Sequence, residues 1–312
     1  MLRLDSRAAF TDKPNDVLAI GELLVDMISE DYDDTLNCDR YQRYFGGSAA
    51  NLAMNAKKLG LNSRVVSAAG HDSFGKFLLQ HLEQEGIPTE DIQISEESTS
   101  MVVITKSRNT PIPIFYRGAD YQIKFTPELE QAVKQSKIVH FSCWPISREP
   151  ARSTIEKVIS LARAEGTLIG FDPNYHPAIW DKAEDGREYV KSIIGQVDVI
   201  KPSLDDADRI FGEDQPDQHL AAFLDHGAKL VILTLGADGA LVSNGTEKVH
   251  LPSVATDVVD ATGAGDAFWS GFYAGIAKGQ TVLDAVNYGM KISAYKLKHV
   301  GPVQRFPEML LI

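Results

Sequence analysis

Residues 260–275 read DATGAGDAFWSGFYAG. Two aspartates, Asp260 and Asp266, bracket Thr262 and the step Gly263-Ala264-Gly265, and an apolar run follows at once. The pattern predicts a helix starting in this stretch with Asp266 on its first turn, and a carboxylate there has two readings. As a cap, Asp266 satisfies free N–H groups and suits the positive end of the macrodipole. Alternatively, the small residues let those N–H groups face a bound anion, making a hole for charge developing on a phosphoryl group. Asp266 would then orient a hydroxyl and take its proton, and the helix terminus is expected to lower its proton affinity. Phosphoryl transfer tolerates so modest a base, because positioning dominates its loose transition state.

What surrounds the stretch narrows the choice. The sequence contains no G-x-x-x-x-G-K-[ST] loop, no G-x-G-x-x-G after the first strand and no G-x-S-x-G elbow. Its eight histidines are scattered, and its two cysteines, Cys38 and Cys143, suggest neither a disulfide framework nor a metal cluster. Any phosphate chemistry must therefore use another device, and residues 263–265 supply the best one.

With 312 residues, 44% of them hydrophobic, the chain can bury one large domain with a smaller insert. A formal net charge of −12 argues against nucleic acid as a partner. The N-terminus lacks the apolar core of a signal peptide, and no apolar run reaches the ~18 residues of a membrane span. A cytoplasmic protein without a membrane partner is the expectation.

Apolar runs alternate with helical periodicity along most of the chain. VLAIGELLVDMI reads as one first strand with Asp26 near its end, and GGSAANLAMNAKKLG as a helix stopped by Gly60. RVVSAAG, KIVHFS, TLIGFD, VDVIKP and KLVILTLG read as further strands, separated by helices. This rhythm implies an α/β fold, a Rossmann-like, mostly parallel sheet with helices on both faces. Segments 27–45 and 98–121 break the rhythm; TSMVVITKS and PIPIFYRGAD look like a β-hairpin, so a small β lid is expected there. Residues 1–14 are the expected loose end.

Three further stretches carry both a structural and a functional reading. In GGSAAN, Gly46 and Gly47 form a turn or open a helix over a ligand, and Asn51 bonds a sugar hydroxyl or supports the turn. Asp26 lies where a strand meets a loop, the place ligands collect in open α/β sheets. LTLGADGALV is a glycine-turn hairpin, or a backbone wall beside a nucleotide.

Taken together, these stretches resemble the PfkB, or ribokinase-like, family of carbohydrate kinases. GGSAANLAMNAKKLG resembles its N-terminal signature and DATGAGDAFWSGF its C-terminal one. GHDSFGKFL, FDPNYHPAIW, IKPSLDDADRIFG and LTLGADGALV fall between them in the family's order, so the likeness spans about residues 16–307. The resemblance implies transfer of the ATP γ-phosphate to a sugar hydroxyl, with Asp266 as base and Gly263, Ala264 and Gly265 as the anion hole. It places Asp26, Gly46, Gly47 and Asn51 at the sugar, with Arg117 reaching the substrate from the lid. Lys201, Ser203, Thr234, Gly236, Gly239 and Asn287 match the nucleotide side. Asp206 matches a glutamate that organises Mg²⁺ through water, and Asp260 and Thr262 match ligands of a monovalent cation such as K⁺. The sequence departs from the family in Ala261, His176, Ser203 and Asp206; His176 stands where related kinases carry arginine. Fructose is the expected acceptor, with 2-keto-3-deoxygluconate or another sugar acid, or a weakly catalytic binding protein, as alternatives. A homodimer through the lid is expected, since small sheets expose edges that proteins cover.

Overall fold

The computed structural model describes residues 2–34, 37–107, 113–181, 184–301 and 303–312. The chain opens with β1 (Asn15–Ile20), β2 (Leu24–Tyr32), β3 (Tyr41–Gly46) and α1 (Ser48–Lys58). Then come β4 (Ser63–Gly70), α2 (Ser73–Gln84), β5 (Ile92–Ser95), β6 (Met101–Lys106) and β7 (Ile114–Tyr116). The middle runs α3 (Pro127–Lys134), β8 (Ser136–Ser142), α4 (Cys143–Ile146), α5 (Ala151–Ala164), β9 (Leu168–Asp172) and α6 (Gly186–Ile194). Next are β10 (Val199–Ile200), α7 (Leu204–Phe211), α8 (Pro216–Asp225) and β11 (Val231–Thr234). The chain closes with β12 (Ala240–Ser243), β13 (Lys248–Leu251), α9 (Ala264–Ala277) and α10 (Val282–Leu297).

Nine strands form one sheet in the order β13-β12-β11-β10-β9-β8-β1-β4-β5. All its pairs are parallel except β11 with β12 and β12 with β13. Alternation along β1 divides the core. Val17 and Ala19 pack with α1, α2, α9 and α10, whereas Leu18 and Ile20 pack with α3 and α5–α8 on the opposite face. The Rossmann-like architecture read from the sequence is thereby observed. No helix among the described residues is long and apolar enough to cross a membrane.

The other four strands form the lid, in the order β3-β2-β6-β7. Its strands lie within residues 24–46 and 101–116, against the expected 27–45 and 98–121; residues 108–112, in the turn of the expected hairpin, lie outside the described residues. VLAIGELLVDMI, read as one strand, is two strands in two sheets. The apolar pattern runs unbroken through Gly21, Glu22 and Leu23, all buried, so hydrophobicity alone does not reveal the turn. Asp26 consequently sits in the first lid strand rather than at the end of a core strand.

The N-terminal segment is not loose. Leu4 is buried, its N–H donates to Glu247 Oε2 (3.0 Å), and its carbonyl accepts from Leu283 N (2.9 Å). Ser6 O accepts from Val282 N (2.9 Å), and Leu2, Ala8 and Phe10 pack against the core. Leucine and phenylalanine at alternating places find apolar surface beside α10, and that burial holds the segment down.

Candidate active site

The first turn of α9 meets the first turn of α1. Gly263 is the N-cap residue of α9 at φ +73°, a left-handed conformation that favours glycine, and no side chain caps this helix. Asp266 does not turn back on its own N–H groups. Its Oδ1 accepts from Ser48 Oγ (2.6 Å) and its Oδ2 from Asn51 Nδ2 (3.2 Å), both on α1. The N–H groups of Gly265 and Asp266 lie in the first turn, where no intrahelical acceptor precedes them. Capping alone does not describe this residue.

Burial pushes the Asp266 carboxyl up to about 6, and the charge of Asp172 adds to the rise; Ser48, Asn51 and Lys201 work the other way. The expectation that the helix terminus would lower its proton affinity is thus overturned, because desolvation outweighs the dipole. Lys201, buried just beyond β10, holds Asp172 Oδ2 at 3.1 Å, and Trp269 Nε1 donates to the same oxygen (2.7 Å). A Cβ on Gly265 would lie 3.7 Å from Lys201 Nζ and 3.8 Å from Asp172 Oδ2. Glu22, in the turn between β1 and β2, accepts from Ser48 N with Oε1 (2.8 Å), while its Oε2 has no partner among the described residues. Burial raises that carboxyl to about 7, helped by the nearby Asp266 and Asp120 charges. Sequence reasoning missed Ser48, Asp172 and Glu22. Their signals were slight: a serine beside two glycines, and acids at apolar strand ends.

On the lid side, Asp26 faces Tyr44 across β2 and β3 and Val102 across β2 and β6; burial raises its carboxyl to about 6. A Cβ on Gly46 would overlap Asp26 Oδ2, and one on Gly47, at φ +114°, would overlap Glu22 O. Both glycines let the start of α1 approach the two carboxylates. Arg117 departs from expectation. Its guanidinium donates to Asp120 Oδ2 (2.8 and 2.5 Å), Ser147 Oγ (2.7 Å) and the carbonyls of Ile179 (2.8 Å) and Trp144 (3.3 Å). Its side chain is 2% exposed, so the charge is engaged by these partners inside the fold and is not presented at the surface.

Of the residues expected on the nucleotide side, Ser203, Thr234, Gly236 and Gly239 lie beyond β10 and β11. Ser203 caps α7 in a reciprocal capping box with Asp206 and bridges in parallel to Thr234. Gly236 opens the turn that Gly239 closes between β11 and β12, so LTLGADGALV is a hairpin. Asn287 lies on α10, its Nδ2 donating to Leu283 O (3.1 Å). Asp206 Oδ1 accepts from Tyr175 N (2.7 Å) and Oδ2 from Ser203 N and Oγ (2.9 and 2.6 Å). Its burial, then the charge of Asp172, raises its proton affinity. His176 instead accepts from Ala178 N (3.1 Å) and meets the lid edge-on at Phe115, with ring centroids 5.1 Å apart. Its burial, with Arg209 nearby, lowers its proton affinity.

Two cations were expected. Mg²⁺ takes phosphate oxygens and waters with one or two carboxylates. Asp172, whose Oδ2 would lie 3.8 Å from a Cβ on Gly265, and Asp206, which feels the Asp172 charge, are the two carboxylates that would hold such an ion brought in on phosphates. Among the described residues no group of three or more acids, histidines or cysteines competes as a cage. The monovalent site does not fit. Asp260 O and Oδ2 each lie 3.3 Å from the buried ammonium of Lys296. A second unit charge about 4 Å from it would be repelled by roughly 4 kcal/mol.

The first turns of α1 and α9 thus bring a buried carboxylate beside a helix N-terminus with no side-chain cap, in a sequence without a P-loop. The chain belongs to the pfkB family of carbohydrate kinases, matched over residues 14–309. It is 53% identical over 309 residues, 99% of this chain and 96% of the relative, to the ATP-dependent 6-phosphofructokinase of Thermoanaerobacterium thermosaccharolyticum. The structure of Halothermothrix orenii fructokinase superposes with a TM-score of 0.81 at 38% identity, covering 92% of this chain and 100% of that one. A Vibrio cholerae O395 fructokinase double mutant, bound to fructose, ADP and a potassium ion, gives a TM-score of 0.80 at 26% identity. That likeness covers 95% of this chain and 96% of the other.

Proposed function

We propose that this carbohydrate kinase transfers the γ-phosphate of ATP to a hydroxyl of a fructose unit. The carrying observation is the Asp266 carboxylate, oriented by Ser48 and Asn51 beside the bare backbone of Gly265 and the Lys201 ammonium. The hydroxyl oxygen bonds to the γ-phosphorus, the bond to the β-phosphate oxygen breaks with its electrons leaving on ADP, and the hydroxyl proton passes to Asp266. Lys201 and the first N–H groups of α9 stabilise the charge on the transferring oxygens. Asp172 and Asp206 would hold the water shell of Mg²⁺, which neutralises phosphate charge when bound. Asp26, on the lid face shared with Tyr44, would hold sugar hydroxyls, and Ser203, Thr234, Gly236, Gly239 and Asn287 would flank the nucleotide.

The 53% identical relative favours fructose 6-phosphate as the acceptor. Free fructose is the second reading. It is favoured by the 38% identical fructokinase and by Arg117, the expected substrate-side cation, being bound to Asp120. The same loss weakens the sugar-acid reading. Coupled ATP-consumption assays over fructose 6-phosphate, fructose, ketodeoxygluconate and ribose, with Asp266→Asn as control, decide among them. A kcat/KM highest on ribose or ketodeoxygluconate would discard the fructose reading; equal turnover by the variant would discard Asp266 as base.

A homodimer through the lid belongs to this reading. The lid face opposite Asp26 carries Met101, Val103, Ile114 and Tyr116, the last two 53% and 52% exposed. Sedimentation velocity showing only monomer at micromolar concentration would exclude it. The cytoplasm, where ATP and sugar phosphates are found, is the compartment this function requires.

A further inference from the structure

The one cation expected on family grounds that the residues refuse is the monovalent one, and the refusal has a specific author in the chain. Lys296 stands in the last turn of α10, and its side chain is 5% exposed. Its Nζ lies 3.3 Å from Asp260 O, 3.3 Å from Asp260 Oδ2 and 2.9 Å from His299 O. An ammonium has three protons to donate, and these three oxygens take all of them. Asp260 is further tied by Thr262 N to its Oδ1 (2.9 Å) and by Gly301 N to its Oδ2 (3.1 Å).

The position of this ammonium matters as much as its partners. A Cβ on Gly263 would meet Lys296 Cε at 3.9 Å and Asp266 Oδ2 at 3.9 Å. The lysine stem therefore underlies the N-cap residue of α9, the point from which the anion hole and the base both start. A charge there fixes the carbonyl of Asp260 and the turn through Thr262, and so fixes where Gly265 and Asp266 fall.

We propose that the Lys296 ammonium is a built-in monovalent cation, replacing a bound potassium ion as the group that sets the 260–265 loop. An ammonium and a potassium ion carry the same charge and bind carbonyl and carboxylate oxygens alike. The covalently attached one binds at no cost in translational freedom and cannot be diluted away. Lys296 is a positioning residue: it acts through the loop and touches no reacting atom. The inference deepens the kinase reading, although its main test does not need turnover.

The wild-type protein is compared in KCl and in tetramethylammonium chloride at equal ionic strength, and crystals are soaked in thallium acetate for anomalous scattering. The expected result is the same melting temperature in both salts and no thallium peak at the oxygens of Asp260 and Thr262. A melting temperature raised by potassium, together with thallium on those oxygens, would overturn the proposal whether or not the acceptor has been identified. Lys296→Ala opens the space. It should lose about 10- to 100-fold in kcat in tetramethylammonium, recover most of it in KCl, and acquire a potassium-dependent melting shift. A folded variant that keeps its full rate without potassium would also overturn it. Should the variant fail to fold, the wild-type thallium and melting comparison still decides.

Discussion

Asp266 and Ser48 lie 218 residues apart in sequence and 2.6 Å apart in the fold, the serine hydroxyl donating to the Asp266 carboxylate. This contact joins the two ends of the chain into one site, since it holds the first turns of α1 and α9 against each other. It also holds a buried carboxylate away from solvent, which has energetic consequences.

Replacing Asp266 by asparagine should therefore divide activity from stability. Removing the base is expected to lower kcat by about 10²- to 10⁴-fold. The carboxyl titrates near 6 in the folded protein against 3.8 unfolded, so the folded state binds more protons between those values. Folding stability from this group is full below about pH 4 and falls as pH rises through 6, by at most about 3 kcal/mol. Melting curves should show the variant gaining on the wild type at pH 8 and losing that gain by pH 4. A variant less stable than wild type at pH 8 would contradict the sign.

The same residue should write the acid limb of the rate profile. With ATP saturating, kcat/KM for a fructose-type acceptor is expected to fall below about pH 6, following protonation of the Asp266 carboxylate. Lys201 stabilises that carboxylate, and Asp172 opposes it. Lys201→Met should accordingly move the limb to higher pH as well as lower the maximum rate. A limb unmoved by the substitution would separate Lys201 from the base.

How much of this was legible in the sequence follows from what each residue has to contact. Residues 263–266 carried their own signal, because small residues before an apolar run mark a bare helix start and Asp266 is the carboxylate that follows them. The parallel sheet was legible from apolar runs at regular spacing. Asp26 was found but placed on the wrong strand, since burial is continuous from Val17 to Val25 while the backbone changes sheet at Gly21. α8 went unread because the apolar residues of QPDQHLAAFLDHG fall in one run, LAAFL, which shows no helical spacing. Ser48, Glu22 and Asp172 take their roles from partners far away in sequence. The ammonium of Lys296 was invisible for the same reason: nothing in KISAYKLKH says that it meets Asp260 in space.

Glycine substitutions can separate space kept for a ligand from space the fold itself needs. A Cβ on Gly265 meets protein only at ordinary contact distance, 3.7 Å or more. Gly265→Ala should thus leave the melting temperature nearly unchanged, yet lower kcat by about 10²-fold if phosphate must reach the bare backbone. Gly263→Ala puts a side chain at φ +73° and should instead destabilise by about 1–2 kcal/mol. Thermal melts beside steady-state kinetics compare the two; a Gly265→Ala enzyme with wild-type rates would remove the anion hole from the mechanism.

Arg117 provides the sharpest contrast between the sequence reading and the fold. A substrate-binding arginine, once removed, raises KM and leaves stability alone. This one is enclosed with Asp120, which also accepts from Trp144 Nε1 (2.6 Å) and from Ser100 Oγ, so its removal strands a buried carboxylate. Arg117→Met should cost about 3–5 kcal/mol in urea or thermal unfolding. The double variant Arg117→Met, Asp120→Asn should recover a large part of that loss, because the uncompensated charge is gone. Acceptor KM, measured on whatever fraction remains folded, should move less than about threefold, as expected for a group that makes no ground-state contact with substrate. A large rise in KM with unchanged stability would return Arg117 to the substrate and reopen the sugar-acid reading.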